Sequence, residues 1–375
     1  MKRYSVLGTA EFEQKVEAIL AGIVHEFSAS VDKRSVKALV LGGGYGRGEG
    51  GVLSKDGGEE LYNDLDLFVF TRKLDAVAKY TLQKKLHLLH EKLSKRYNLE
   101  IDFSTPKDVS KLSREPFSLM MYDLSCGYQV LWGKLDLKHY LPPWKAANMP
   151  AEESVKLLLN RGMGLFFSRE KLDSSSPDID FVNRNIHKAW QALGEGILIA
   201  EKAYHSSSAK KISRLKVLKL EGYTSFPAFM DRFEEAMQFK LQPEPERYSP
   251  AELRKRLREI IPVFEEVYYK VWSSLSGLIV SGESSYQEAV RYYHGDHTGL
   301  GSVAKNLLLN FRDRSWQPGS LSLAYPRMRL YLALPWLLFG NCGPGSELCE
   351  ILGVPPGQTR QTLQDRFVLL WQRYN

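Results

Sequence analysis

Apolar residues recur at three- and four-residue spacings from Ala10 to Phe27, at Phe12, Val16, Leu20, Ile23 and Phe27, and predict an amphipathic helix at the start of the chain. Val36 to Leu41 is short, apolar and β-branched at its start, and it runs into three glycines, which reads as a buried strand ending in a tight loop. Leu65 to Phe70 reads as a second strand and Leu99 to Ser104 as a third. Between them Leu74 to Tyr97 has Leu82, Leu86, Leu89 and Leu93 on one helical face. Tyr128 to Trp132 is a candidate for one further strand before Gly133. The order helix, strand, glycine turn, strand, helix, strand predicts an α/β (α+β) domain on a small mixed sheet.

Pro142, Pro143 and Pro150 mark a boundary, and beyond it the pattern turns helical. The expected domains are therefore 1–148, with the sheet, and 149–375, a mostly α-helical region with two sub-bundles divided near 242–248. Glu152 to Phe167, Asn183 to Tyr204 and Phe226 to Phe239 have helical length and spacing. Ser249, Pro250 and Glu252 predict a capped helix start with a capping box. A glycine-rich loop at 295–302 and helical stretches around Met328 to Leu338 and Thr359 to Tyr374 finish the chain.

A length of 375 residues allows two or three cores, and 43% hydrophobic with 25% charged residues fits a chain folded throughout. The first residues lack the apolar run of a signal peptide. The longest apolar stretch, Leu330 to Phe339, is too short for a span and contains Pro335. Cys126, Cys342 and Cys349 form neither a zinc spacing nor an even-numbered disulfide set, so they read as core thiols in a reducing, cytoplasmic setting with no membrane partner. The net charge of +7 favours anions such as nucleotide phosphates or RNA, but it selects neither.

The candidate chemistry lies in the first third. In Asn63-Asp64-Leu65-Asp66-Leu67 strand alternation sets Asp64 and Asp66 on one face and the leucines on the other. Two neighbouring carboxylates repel, and the usual remedies are a cation or protonation of one of them; magnesium suits the pair. Asp102, between Ile101 and Phe103, supplies a third acid from a strand able to pair beside the first, with Glu100 as second choice. Three oxygen donors so placed suit two magnesium ions, with manganese as the alternative. The string Leu41-Gly42-Gly43-Gly44-Tyr45-Gly46-Arg47-Gly48-Glu49 gives a loop whose backbone can approach phosphate oxygens, where Arg47 adds charge or braces the turn.

Gly43-Gly44-Tyr45-Gly46-Arg47-Gly48-Glu49 followed by Asp64-Leu65-Asp66 resembles the signature of the DNA polymerase β-like nucleotidyltransferases. The glycine string is most similar to the nucleotidyltransferase domain of bacterial PII-protein uridylyltransferases, and is also close to the minimal nucleotidyltransferases. The resemblance covers roughly residues 36–105. It implies that Gly43 and Gly44 contact the NTP phosphates within a nucleotide-binding string including Tyr45, Arg47 and Glu49. It also implies that Asp64 and Asp66 bind metal and that Asp102 completes the catalytic triad. Residues 51–61 form an apparent extra loop between the glycines and Asp64. The regulatory and hydrolase domains of the uridylyltransferases have no counterpart motifs, and the C-terminal half resembles a helical substrate-binding region. Transferases of this kind often set a helical lysine or arginine on the triphosphate, and Lys188 is the candidate here.

Other readings carry less. Gly46, Gly48 and Gly51 satisfy a dinucleotide pattern but do not directly follow the strand, and no lysine with serine or threonine closes the loop as a P-loop requires. His294-Gly295-Asp296-His297 is a weak metal candidate. Lys210, Lys211, Arg214, Lys216 and Lys219, and the run Arg254-Lys255-Arg256, read as solvated faces. Phe166, Phe167, Trp190 and Tyr204 are candidates either for a pocket wall or for core. The expected activity is transfer of a nucleoside monophosphate to an acceptor hydroxyl, on a small molecule or protein in preference to a nucleic acid. The alternatives are a non-catalytic, antitoxin-like binding protein of the same fold and an RNA-end nucleotidyltransferase.

Overall fold

A computed structural model describes residues 3–55, 57–62, 64–218, 226–293, 300–313, 320–340 and 346–374. His294 to His297, Cys342 and Lys219 lie outside the described residues. The chain divides into two units. The first comprises Met1–Pro150, Tyr204–Arg214 and Glu234–Glu244; the second comprises Ala151–Ala203, Leu215–Phe233 and Pro245–Asn375. Two segments from the stretch read as helical in sequence thus belong with the sheet.

In the first unit α1 (Ala10–Ser30) starts at Thr9, whose side chain accepts from the Phe12 amide, and it buries the five apolar residues of its predicted face. Then come β1 (Val36–Leu41), α2 (Gly43–Gly46), β2 (Val52–Lys55), β3 (Gly58–Leu61), β4 (Leu65–Thr71), α3 (Ala76–Tyr97), β5 (Ile101–Phe103), β6 (Lys107–Asp108), α4 (Leu119–Cys126) and β7 (Gln129–Gly133). The main sheet has the order β5-β4-β1-β7, with β6 also on β4. β1 runs antiparallel to β4 and β7, whereas β5 and β6 are parallel to β4, so the sheet is mixed. Alternation divides the core in two. Leu39, Leu41, Leu65, Leu67 and Ile101 pack with the apolar faces of α1 and α3. Ala38, Val40, Phe68 and Phe70 pack with Leu112, Met121, Leu124 and Leu137. Fully burying one such large side chain contributes about 1.5–3 kcal/mol, so both faces stabilise β4.

The stretch read as a loop at 51–61 is a hairpin, with Val52 opposite Leu61 and Lys55 opposite Gly58. Among its described apolar side chains Val52 alone is buried, with Leu61 packed on the same core, which leaves too few apolar positions for an alternation signal. Its Glu59 carboxylate accepts from the Thr9 amide (2.9 Å) and hydroxyl (2.7 Å), tying the hairpin to the start of α1.

The second unit is helical. Its elements include α5 (Glu152–Asp173) and α6 (Ile179–Ala200), and parts of α7 (Ser208–Val217) and α8 (Phe226–Leu241). They continue with α9 (Pro250–Ser276), α10 (Glu283–Tyr292), α11 (Leu300–Arg312), α12 (Arg327–Leu338), α13 (Ser346–Leu352) and α14 (Arg360–Tyr374). The predicted capping box opens α9: Glu252 accepts from the Ser249 amide and the Ser249 hydroxyl from the Glu252 amide. Tyr268, Trp272, Tyr286 and Tyr331 form an aromatic core, and buried Arg329 is held by Asn310 and the Ile351 carbonyl. Among the described residues no helix is long and apolar enough to cross a membrane.

Candidate functional site

The glycine loop is one tight turn at the end of β1, pressed against the start of β4. The Gly42 amide donates to the Asp66 carbonyl at 2.8 Å, and the Gly46 amide returns to the Gly42 carbonyl at 2.7 Å. Gly43 has φ +60°, and a Cβ there would lie 1.9 Å from Asp66 Oδ2. Both the backbone conformation and the contact require glycine. A Cβ on Gly44 would stand 3.1 Å from the Glu49 carbonyl oxygen, whose own amide donates back to the Gly44 carbonyl.

The side chains in the string hold this turn from within. Tyr45 is 1% exposed; its hydroxyl donates to the Gly51 carbonyl (2.7 Å) and accepts from the Tyr62 amide. Arg47 is turned to Asp123 at 3.6 Å, and Asp123 also accepts from the Tyr204 hydroxyl at 2.9 Å. Glu49 receives the Ser208 amide (2.9 Å) and hydroxyl (2.8 Å) on its two oxygens, with Lys240 Nζ 3.3 Å away. Burial alone would raise the Glu49 carboxyl, but Lys240, the two Ser208 bonds and Arg47 outweigh it and hold it below the usual carboxylate range.

The acids lie on the strands beside the loop. Leu65 and Leu67 are buried in the core while Asp64 and Asp66 stay partly exposed, as alternation predicts. β5 pairs with β4 in parallel, and Asp102 is the register partner of Asp66. Neighbouring strands stand about 4.8 Å apart, so these two carboxylates leave adjacent backbone positions on one face. Burial pushes the Asp102 carboxyl up, His90 opposes that, and the negative charge of Asp64 adds to it. Glu100 is exposed, and its carbonyl accepts from the Leu65 amide. Among the described residues no three His, Cys, Asp or Glu side chains are gathered closely enough to hold a metal ion. In donor chemistry the acids fit magnesium: all are hard oxygens, and the repulsion between Asp64 and Asp102 is of the kind a divalent cation relieves.

Sequence reasoning missed His90. Its Nδ1 lies 2.9 Å from the Ile101 carbonyl and 3.4 Å from Asp102 Oδ1, at the outer edge of the sheet. The available signal was its place on α3, three residues from His87 and seven from Gln83. The basic segment also differs from a solvated face. Lys211 is 2% exposed against the Tyr204 ring, and Arg214 donates to the Tyr204 carbonyl. Burial, then Arg214, Lys210 and Lys211, holds the His205 imidazole below its ordinary range, so cations concentrate here.

Lys188 is half-buried on α6, within the second unit. Phe166 packs on Phe167 and Phe367, and Trp190 on Phe229; both are buried core rings, as is Tyr204 in the first unit. Cys349 is buried as expected, but Cys126 is exposed at the end of α4. A scan of protein-family models, a search of curated proteins and a search of solved structures each gave no match to the chain.

Proposed function

We propose that the chain is a metal-dependent nucleotidyltransferase of the DNA polymerase β-like superfamily. It moves a nucleoside monophosphate from an NTP to an acceptor hydroxyl and releases pyrophosphate. The observation that carries the reading is a glycine turn set against one strand-borne acid that stands in register with a second. Gly43 leaves room against Asp66, and Asp66 stands in register with Asp102. The backbone at Gly43 and Gly44 carries no side chain of its own, which lets phosphate oxygens approach it beside the Asp66 carboxylate. Tyr45, Arg47 and Glu49 support the reading as the scaffold of that turn, and the cations around His205, near Glu49, supply charge of the sign phosphates require.

Asp64, Asp66 and Asp102 would hold magnesium, with manganese as the alternative. When bound, the ion neutralises phosphate charge and aligns an in-line displacement. Asp102 accepts the proton of the acceptor hydroxyl as its oxygen bonds to the α-phosphorus and the bond to the pyrophosphate oxygen breaks. His90 orients that carboxylate through its contacts with Asp102 and the Ile101 carbonyl.

Incubation with each α-labelled NTP, magnesium and a cell extract tests the proposal, with label expected on a small metabolite or a protein. Asp64→Ala and Asp66→Ala should each lower transfer by two orders of magnitude or more, ~3 kcal/mol of barrier, with an unchanged urea midpoint. Wild-type turnover in both variants would sink the metal role. Nucleotide binding with label on no acceptor would favour the non-catalytic binding protein.

A further inference from the structure

The sheet order sets two different environments on either side of β4. β1 lies on one side and delivers the glycine turn against Asp66; β5 lies on the other and carries Asp102 along the open edge of the sheet. Beside that edge is a pocket of about 270 Å³. Its polar wall is formed by Gln83, His87, His90, Asp102, Ser104 and Thr105. Gln83, His87 and His90 follow the i, i+4, i+7 spacing of one helical stripe on α3, and Asp102 and Ser104 alternate onto one side of the chain leaving β5. Leu86 and Phe103 add a small apolar surface.

We infer that this pocket binds the acceptor, and that the acceptor is an uncharged, polyhydroxylated small molecule of about monosaccharide size. Calling the ligand an acceptor rests on the transferase reading; the ligand's chemistry rests on the pocket. An amide, two imidazoles, hydroxyls and a carboxylate offer mixed donors and acceptors, as a ring bearing several hydroxyls requires. The His87 and His90 rings lie nearly parallel, 6.4 Å between centroids, and His87 is within 3.4 Å of Glu91. Asp102, with Asp64 close enough to feel its charge, repels an anionic ligand. Drug-sized ligands occupy pockets of about 300–1,000 Å³ lined mainly by apolar groups, and this one is smaller and mostly polar. A single hydroxylated ring with its C–H face on Leu86 and Phe103 fits that volume and lining, and presents a hydroxyl to Asp102 opposite the nucleotide side.

Saturation-transfer NMR on the full chain, with D-glucose and myo-inositol as probes and no nucleotide present, tests the inference. Saturable binding in the millimolar range is expected for at least one probe, weakened fivefold or more by Gln83→Ala and by His87→Ala, both at exposed positions. Inorganic phosphate at equal ionic strength should not displace it. Absence of signal from both probes up to 50 mM, unchanged binding in both variants, or displacement by phosphate would overturn it. A parallel titration with a non-hydrolysable NTP and magnesium separates this from the transferase reading. Nucleotide binding without polyol binding removes the pocket alone. Polyol binding sensitive to both variants, without any nucleotide binding, supports the pocket and removes the transferase reading.

Discussion

A methyl group on Gly43 would meet Asp66 Oδ2 at 1.9 Å while the backbone holds φ +60°. The left-handed conformation alone costs a side-chain-bearing residue about 1–2 kcal/mol. Gly43→Ala should therefore lower the urea-derived stability by that amount. It should also push the carboxylate aside and weaken binding of a non-hydrolysable NTP with magnesium about tenfold, ~1.4 kcal/mol. Gly57→Ala, at φ +106° with nothing within 4 Å of the added Cβ, carries backbone strain without the contact and should leave nucleotide affinity unchanged by calorimetry. Equal affinity losses in the two would detach the glycine turn from the acids. At this scale the positions of Asp64, Asp66 and Asp102 were legible, because a strand's period of two fixes which residues share a face. The inward turn of Tyr45 and Glu49 was not, since a glycine string carries no periodicity from which to read inside and outside.

The elements that sequence revealed are those with enough apolar residues to form a pattern: α1 and α3 each bury a regular helical face, and β1 and β4 are apolar runs buried on both faces. The β2–β3 hairpin lacked that pattern, although Asp56-Gly57 between two short runs was a usable turn signal. The joining of α7 and α8 residues to the glycine turn could not be read at all. Ser208 and Lys240 reach Glu49 from far along the chain, and a lone serine and lysine announce no partner. Removing one member of such a part-buried pair leaves the other charge poorly compensated, so Glu49→Gln should cost about 1–3 kcal/mol at neutral pH. The Glu49 carboxyl sits below its ordinary value of 4.5 in the folded chain, and protonation therefore favours unfolding. Its contribution is present above that value and is lost as pH falls through the lower folded one. Urea titrations of both proteins from pH 7 to pH 3 should show the gap closing only on the acid side. A gap independent of pH would mean that packing, not charge, accounts for the loss.

At the scale of the whole chain the positive residues behave differently by segment: those around His205 are gathered, while the basic runs of the second unit are compensated locally. In the second unit Arg232 and Lys255 share Glu259, Arg254 faces Asp173, and Arg256 lies 3.8 Å over the Tyr248 ring. These pairings account for the basic runs as locally compensated surfaces. Filter binding to RNA and DNA is thus expected to give no retention near physiological salt; tight binding that falls steeply as salt rises would reverse the preference for a small acceptor. The attachment of 204–214 and 234–244 to the first unit also bears on the order in which the protein is made. When residue 150 leaves the ribosome, the sheet has all its strands but Glu49 still lacks Ser208 and Lys240. At roughly 5–20 residues per second, another 5–20 s or so passes before residue 244 leaves it in turn. Throughout that interval the nascent sheet holds an acid beside its glycine turn without its Ser208 and Lys240 partners, so the first unit is completed only after about a third of the second has been synthesised.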